Sequence, residues 1–136
     1  MYKSVIVTLL AAAILQGCQT TPLKSGAGAL SRADVERLFV GNTVESYNLN
    51  TKFTSFTYYH PDGRAIQERL WTKRLGKWSI RDDGMICLSF NKKPPKCRHI
   101  VKRDDTYYKV RPDESGNQER LVRYRYFVAG NALAKH

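Results

Sequence analysis

Acidic side chains are scarce in this 136-residue chain: 12 Asp and Glu stand against 23 Lys and Arg, for a formal net charge of +11. Long apolar runs are also missing. The apolar stretch Val5–Leu15 covers eleven residues, which as helix span about 16 Å against the roughly 30 Å of a bilayer's hydrocarbon core, so it is too short for a transmembrane helix. Five prolines and nine glycines exclude collagen-like and low-complexity classes. Only three histidines occur, His60, His99 and His136, with no HExxH pattern and no i,i+4 pair, so no metal is expected. No Gly-x-Ser-x-Gly elbow and no phosphate-cradling glycine loop is present. The aspartates fall mainly in turn dipeptides, where turn chemistry accounts for them. No catalytic residues are expected, and the chain reads as a non-enzyme. Its length allows one modest domain, and 42% hydrophobic with 11% aromatic residues suffices for a folded core.

What is present begins with an address. Lys3 supplies a positive n-region before the apolar stretch, as in a secretory signal, and the stretch ends in Leu15-Gln16-Gly17-Cys18. This tetrapeptide resembles the bacterial lipobox. The resemblance implies cleavage after Gly17, with Leu15 filling an apolar subsite of the signal peptidase, and diacylglycerol on the Cys18 sulfur. Two or three acyl chains on one residue make an effectively permanent membrane anchor. Gln19 is not the aspartate that retains lipoproteins at the inner membrane of many enterobacteria, so the outer membrane is the expected destination. No cofactor is expected beyond this covalent lipid. Residues 1–17 are read as the removed signal, 18–30 as the lipidated cysteine and a flexible tether, 31–130 as one β-rich domain and 131–136 as a tail. Removing the signal takes away one charge, Lys3, leaving +10.

Three cysteines are an odd number, but assigning Cys18 to lipid leaves Cys87 and Cys97 as a pair. An exported protein meets an oxidising compartment, and the spacing fits no standard zinc pattern, so a disulfide is expected. Closing that loop stabilises by about 3 kcal/mol in the chain-entropy view.

In the mature chain Ser31 is placed to cap a short helix, with Asp34 at its third position and Val35, Leu38 and Phe39 on its apolar face, and Gly41 ends it. After Gly41 the pattern turns to period two. Trp78 and Ile80 share a face, as do Ile86, Leu88 and Phe90 against Cys87 and Ser89, and Val122, Tyr124, Tyr126 and Val128 against Arg123 and Arg125. Turn signals separate these runs, including Pro61-Asp62-Gly63, Asp82-Asp83-Gly84, Lys93-Pro94-Pro95 and Glu114-Ser115-Gly116-Asn117. Short strands at such spacing predict an all-β fold, an antiparallel meander closing into a small lipocalin-like barrel of about seven or eight strands, because closure removes exposed edges. A two-sheet β-sandwich is the alternative. Cys87 and Cys97 fall on the face opposite Ile86, Leu88 and Ile100, so their bridge is expected away from the main apolar stripe. Trp71 and Trp78 are expected to fill the barrel rather than line a cavity.

The order of these elements resembles a known family. Leu38-Phe39-Val40-Gly41-Asn42-Thr43-Val44 follows the helix, then Phe56-Thr57-Tyr58-Tyr59 with Pro61-Asp62-Gly63-Arg64, Gly76-Lys77-Trp78-Ser79-Ile80, Asp83-Gly84-Met85-Ile86-Cys87-Leu88 and finally Cys97. Over about residues 31–110 this series is similar to the small exported bacterial proteins catalogued as domain of unknown function 995. The resemblance implies fold and export, and carries no catalytic motif.

The remaining clue is charge. Lys92, Lys93, Lys96 and Arg98 cluster on and beside one loop, and Arg123 and Arg125 mark the polar side of the last strand. These six are the candidate anion- or partner-binding residues. A basic protein held at a membrane by its lipid meets anionic lipid, lipopolysaccharide, acidic glycans and acidic proteins, each nearby cation contributing about 1 kcal/mol at an anionic surface. Nucleic acid suits the charge but not the compartment. The expected function is a non-catalytic binding or structural module of the bacterial cell envelope. An inhibitor of a protease or lysozyme, and a carrier of a small apolar ligand, are the alternatives.

Overall fold

The structure, a computed structural model, describes residues 23–133. Leu15, Gly17 and Cys18, with the signal and lipid site they were assigned to, lie outside those residues. The described chain is helix α1 (Arg32–Phe39) followed by eight strands: β1 (Asn42–Asn48), β2 (Thr54–Tyr59), β3 (Arg64–Arg69), β4 (Thr72–Ile80), β5 (Ile86–Phe90), β6 (Lys96–Arg103), β7 (Thr106–Pro112) and β8 (Gln118–Ala129). Each strand pairs antiparallel with the next, and β8 returns to pair with β1, so the sheet closes into a barrel. That closure decides between the barrel and the sandwich: among the described residues there is one sheet, and it closes without an edge.

Helix α1 forms as its sequence dictates. Ser31 Oγ accepts from the Asp34 backbone N–H at 3.2 Å, and Val35 and Phe39 are completely buried. Two turns cannot stand alone in water, so the helix is held by what it plugs. The Phe39 ring meets Tyr59, Tyr124 and Phe127 edge-on, with centroids 5.0, 5.2 and 5.5 Å away, the favoured geometry for aromatic pairs. Val44, Ala65, Trp78, Ile86 and Ile100 complete this core. It fills only one end of the barrel, where α1 enters beside the turns 60–63, 81–85 and 104–105. Gly84 permits the approach, since a Cβ there would stand 2.4 Å from the Leu30 carbonyl oxygen.

Three features depart from the sequence reading. In β8 the register against β1 shifts between Glu45 and Ser46, leaving Arg125 without a Cα partner. One extra residue in a strand reverses the faces beyond it. Tyr124 therefore points into the core, whereas Tyr126 and Val128, expected on the same face, are exposed and Phe127 turns inward. Trp71 does not fill the barrel: it is fully exposed at the tip of the β3–β4 hairpin, and Trp78 alone is buried. Finally, the stretch 23–30, expected to be part of a flexible tether, is fastened to the wall. Ala29 and Lys24 form β-bridges with Val101 and Asn117, and the Ala27 carbonyl accepts from Arg103 and Gln118 at 3.0 Å each. Val101 and Val110, which point outward, are buried there.

Candidate functional site

The loops 49–53, 70–71, 91–95 and 113–117 gather at the end of the barrel opposite α1. Here the interior is not filled. A cavity of about 460 Å³ opens between the strands, within the range of small-molecule sites. Phe90, Leu88, Val122, Tyr59 and Tyr124 form its apolar part, and seven cations line it: Arg69, Arg74, Lys93, Lys96, Arg98, Lys109 and Arg111. No carboxylate is among the lining residues.

Pairing register explains how the cations come to face inward. Residues directly opposite on neighbouring strands share a face. Arg98 pairs with Ile86 and Lys96 with Leu88, while Lys109 pairs with Ile100 and Val122. Arg69 continues the inward series of Ala65 and Gln67 along β3, and Arg74 the series of Trp78 along β4. Gly76 lies between the last two, and a Cβ there would strike Ser89 O at 2.2 Å and the Phe90 ring at 2.6 Å. The bare backbone lets the Phe90 ring lie across β4, where the Arg74 guanidinium stacks on it at 4.1 Å. Arg74 Nε donates to Gln67 Oε1 at 2.8 Å, and Gln67 Nε2 donates to Thr57 Oγ1 at 3.0 Å. Arg74 is thus oriented by a buried amide and an aromatic face, both without charge.

The electrostatics separate inside from outside. Many outer-wall and turn cations have acidic partners, among them Arg32 with Glu36 and Asp82, Arg64 with Asp62, Lys73 with Glu68, Lys102 with Asp105 and Arg125 with Glu45, although others such as Lys77, Arg120 and Arg123 have none among the described residues. Among the described residues, Arg111 is the one cavity cation with a carboxylate partner, Glu119 at 2.7 Å on the rim. Seven of the twelve acidic residues sit at the closed end, on α1 and in the turns 60–63, 81–85 and 104–105. Unpaired positive charges in a low-dielectric cup focus a field outward through its mouth. Burial, and next the charge of Arg98, lower the Lys109 ammonium to about 8. Burial, and next the charge of Arg69, lower Arg74 as well. On the cavity floor the Tyr124 hydroxyl is buried with no hydrogen-bond partner among the described residues, and burial holds its proton well above the usual phenol range. It remains a free donor.

Of the six basic residues chosen from sequence, the structure brings Lys93, Lys96 and Arg98 together at the cavity. Lys96 and Arg98 belong to its wall rather than to an outward-facing basic loop. Lys92 is exposed at the β5–β6 turn. Arg123 and Arg125 lie on the outer wall over the Tyr47 ring, at 5.4 and 4.4 Å, so the set divides in two. The Cys87–Cys97 disulfide is formed between directly paired residues on the outer face, as expected. It staples the hairpin with three registered pairs, the one that carries Lys96 and Arg98. Arg69, Arg74, Lys109, Arg111 and Tyr124 also line the cavity and lie outside the sequence-based set. Parity was the available signal, since 96 and 98 share it with Ile100, and 74 with Trp78.

No family model matches the chain, and no curated protein matches it either.

Proposed function

We propose that this protein is a lipid-anchored, non-catalytic binding module of the bacterial cell envelope, exported by its signal, held through Cys18 at the outer membrane, and binding a compact anionic group inside its barrel. The observation that carries the reading is the row of cavity cations without carboxylate partners. Of these six cations Lys93 and Lys96 are exposed toward the mouth and Arg69, Arg74, Arg98 and Lys109 are half-buried; their mutual repulsion costs free energy in the empty protein, and an anion entering among them removes that cost while gaining charge-assisted hydrogen bonds. Arg74, Arg98 and Lys109 supply donors from three strands, and Tyr124 adds a neutral donor at the floor. Such a wall does not suit an apolar ligand. Lys92, Arg123 and Arg125 contribute to the outer field only.

The test is calorimetric titration of the full chain, purified from membranes in non-ionic detergent, with sn-glycerol 3-phosphate. Loss of one charge-assisted contact costs about 1.5–3 kcal/mol, so Arg98→Gln and Arg74→Gln are expected to weaken binding about ten- to hundredfold, and Arg123→Gln to leave it unchanged. Equal affinity in all three variants would refute the cavity as the site. Export and anchoring are tested separately by palmitate labelling, which Cys18→Ala is expected to abolish.

A further inference from the structure

We propose that the open end of the barrel is a membrane-docking face. The protein stands mouth-down on an anionic phospholipid bilayer, with the Leu70–Trp71 hairpin tip in the interface and a lipid phosphate headgroup as the anion entering the cavity. The inference rests on the anchor and the anion site proposed above, and gives the anion a source and the domain an orientation.

Three independent observations converge on that end. The first is the tip. Leu70 is 55% exposed and Trp71 fully exposed, on a two-residue turn where both have positive φ, 49° and 66°. The comparable turns use Asn91-Lys92 and Asp104-Asp105, beginning with residue types that tolerate this conformation. Leucine and tryptophan tolerate it poorly and gain nothing in water, whereas a membrane interface is where indole and leucine side chains together settle. Phe53, 42% exposed, lies on the neighbouring loop of the same end.

The second observation is the path of the chain. Gln118 N donates to the Leu23 carbonyl at 2.6 Å, and Ser25 N donates to the Gly116 carbonyl at 3.1 Å. The N-terminal segment therefore leaves the domain beside the 113–117 loop, at the open end. Cys18 precedes Leu23 by five residues, a reach of at most about 17 Å even when fully extended. A lipid on Cys18 keeps the mouth, rather than the helix-plugged end, within reach of the bilayer, where surface charge decides whether it docks.

The third is charge. The closed end carries most of the acids and the open end most of the unpaired cations, with Lys92 and Lys93 on the rim; Glu68, Asp113, Glu114 and Glu119 are the acids near the mouth, and Glu68 and Glu119 are paired with Lys73 and Arg111. Over a negative surface this distribution turns the open end downward.

The experiment uses the lipidated full chain in vesicles whose acyl chains carry bromine, a contact quencher of tryptophan. Trp71 is the reporter, because Trp78 is buried with its indole N–H donating to the His60 carbonyl at 2.9 Å. In phosphatidylglycerol vesicles Trp71 is expected to be quenched and shielded from aqueous acrylamide. In phosphatidylcholine vesicles, where the anchor holds the protein equally well, it is expected to stay exposed. Trp71→Phe removes the quenched signal, and each of Lys92→Ala and Lys93→Ala lowers the docked-to-undocked ratio about fivefold. Equal acrylamide access in both lipids overturns the proposal, as does shielding of Trp71 that requires an added protein. If Trp71 stays undocked while glycerol phosphate still binds, the orientation fails and the anion site stands. If neither is seen, both fail.

Discussion

Anion binding by the barrel is expected to be tightest below pH 8 and to weaken about tenfold per pH unit above it, because Lys109 must be charged to take part. Its ammonium faces the cavity from β7, between Ile100 on β6 and Val122 on β8, with Arg98 as the nearby charge that opposes it. Burial first and Arg98 second bring its pKa to about 8. Against an ordinary lysine near 10.4 that shift amounts to about 3 kcal/mol at 1.36 kcal/mol per unit. A unit negative charge about 4 Å away, at an effective dielectric constant near 20, offers about 4 kcal/mol, enough to restore the ordinary value. The sign follows directly. Between pH 8 and about 10.4 the complex holds a proton that the free protein has lost, so binding takes up a proton and affinity falls as pH rises. Sulfate is the probe, since its charge is constant over this range. Titration calorimetry at pH 8 in two buffers of different ionisation enthalpy is expected to show about half a proton taken up per sulfate bound, and Lys109→Met is expected to abolish both the uptake and the slope. A flat affinity from pH 7 to 10, or a slope that survives in Lys109→Met, would show that Lys109 takes no part in holding the anion.

The same lysine makes the empty protein gain stability as pH rises from about 8 to 10.4, because the unfolded chain binds the extra proton in that window; urea melts at pH 7.5 and 9.5 without anion check this. Replacing Leu70-Trp71 by Asn-Gly relieves two left-handed backbones occupied by bulky residues, and is expected to stabilise the fold by about 1–2 kcal/mol in urea melts. The same variant is expected to lose contact with phosphatidylglycerol vesicles, measured by flotation of the chain carrying Cys18→Ser. Cys87→Ala with Cys97→Ala removes the staple of the shortest ladder in the barrel, at a cost of about 3 kcal/mol in thermal unfolding, and is expected to weaken sulfate binding because Lys96 and Arg98 lose their fixed register.

The barrel was legible because its closed end obeys the ordinary rule for a strand with one buried face. Trp78 and Ile80, and Ile86 and Leu88, alternate with polar residues, and the Asp-Gly and Pro-Asp-Gly signals fall where the chain turns. The site was less legible because near the mouth the rule inverts. In β3 and β4, Gln67, Arg69 and Arg74 point inward while Ile66 and Leu75 point out, the last of these 70% exposed, so hydrophobic alternation carries the wrong sign. The shift at Arg125 cannot be seen from β8 alone, since it depends on the register against β1. Counting parity outward from Ile100 does place Lys96 and Arg98 on the inner wall. The cationic character of the mouth was therefore partly readable once the barrel itself was granted.

Diffraction from crystals soaked in selenate, whose anomalous signal locates the anion directly, tests the central claim most immediately. A peak is expected inside the barrel within hydrogen-bond distance of Arg74, Arg98 or Lys109. Peaks confined to the outer surface, at Lys92 on the rim and at Arg123 and Arg125 on the outer wall, with the cavity empty at saturating selenate, would contradict it.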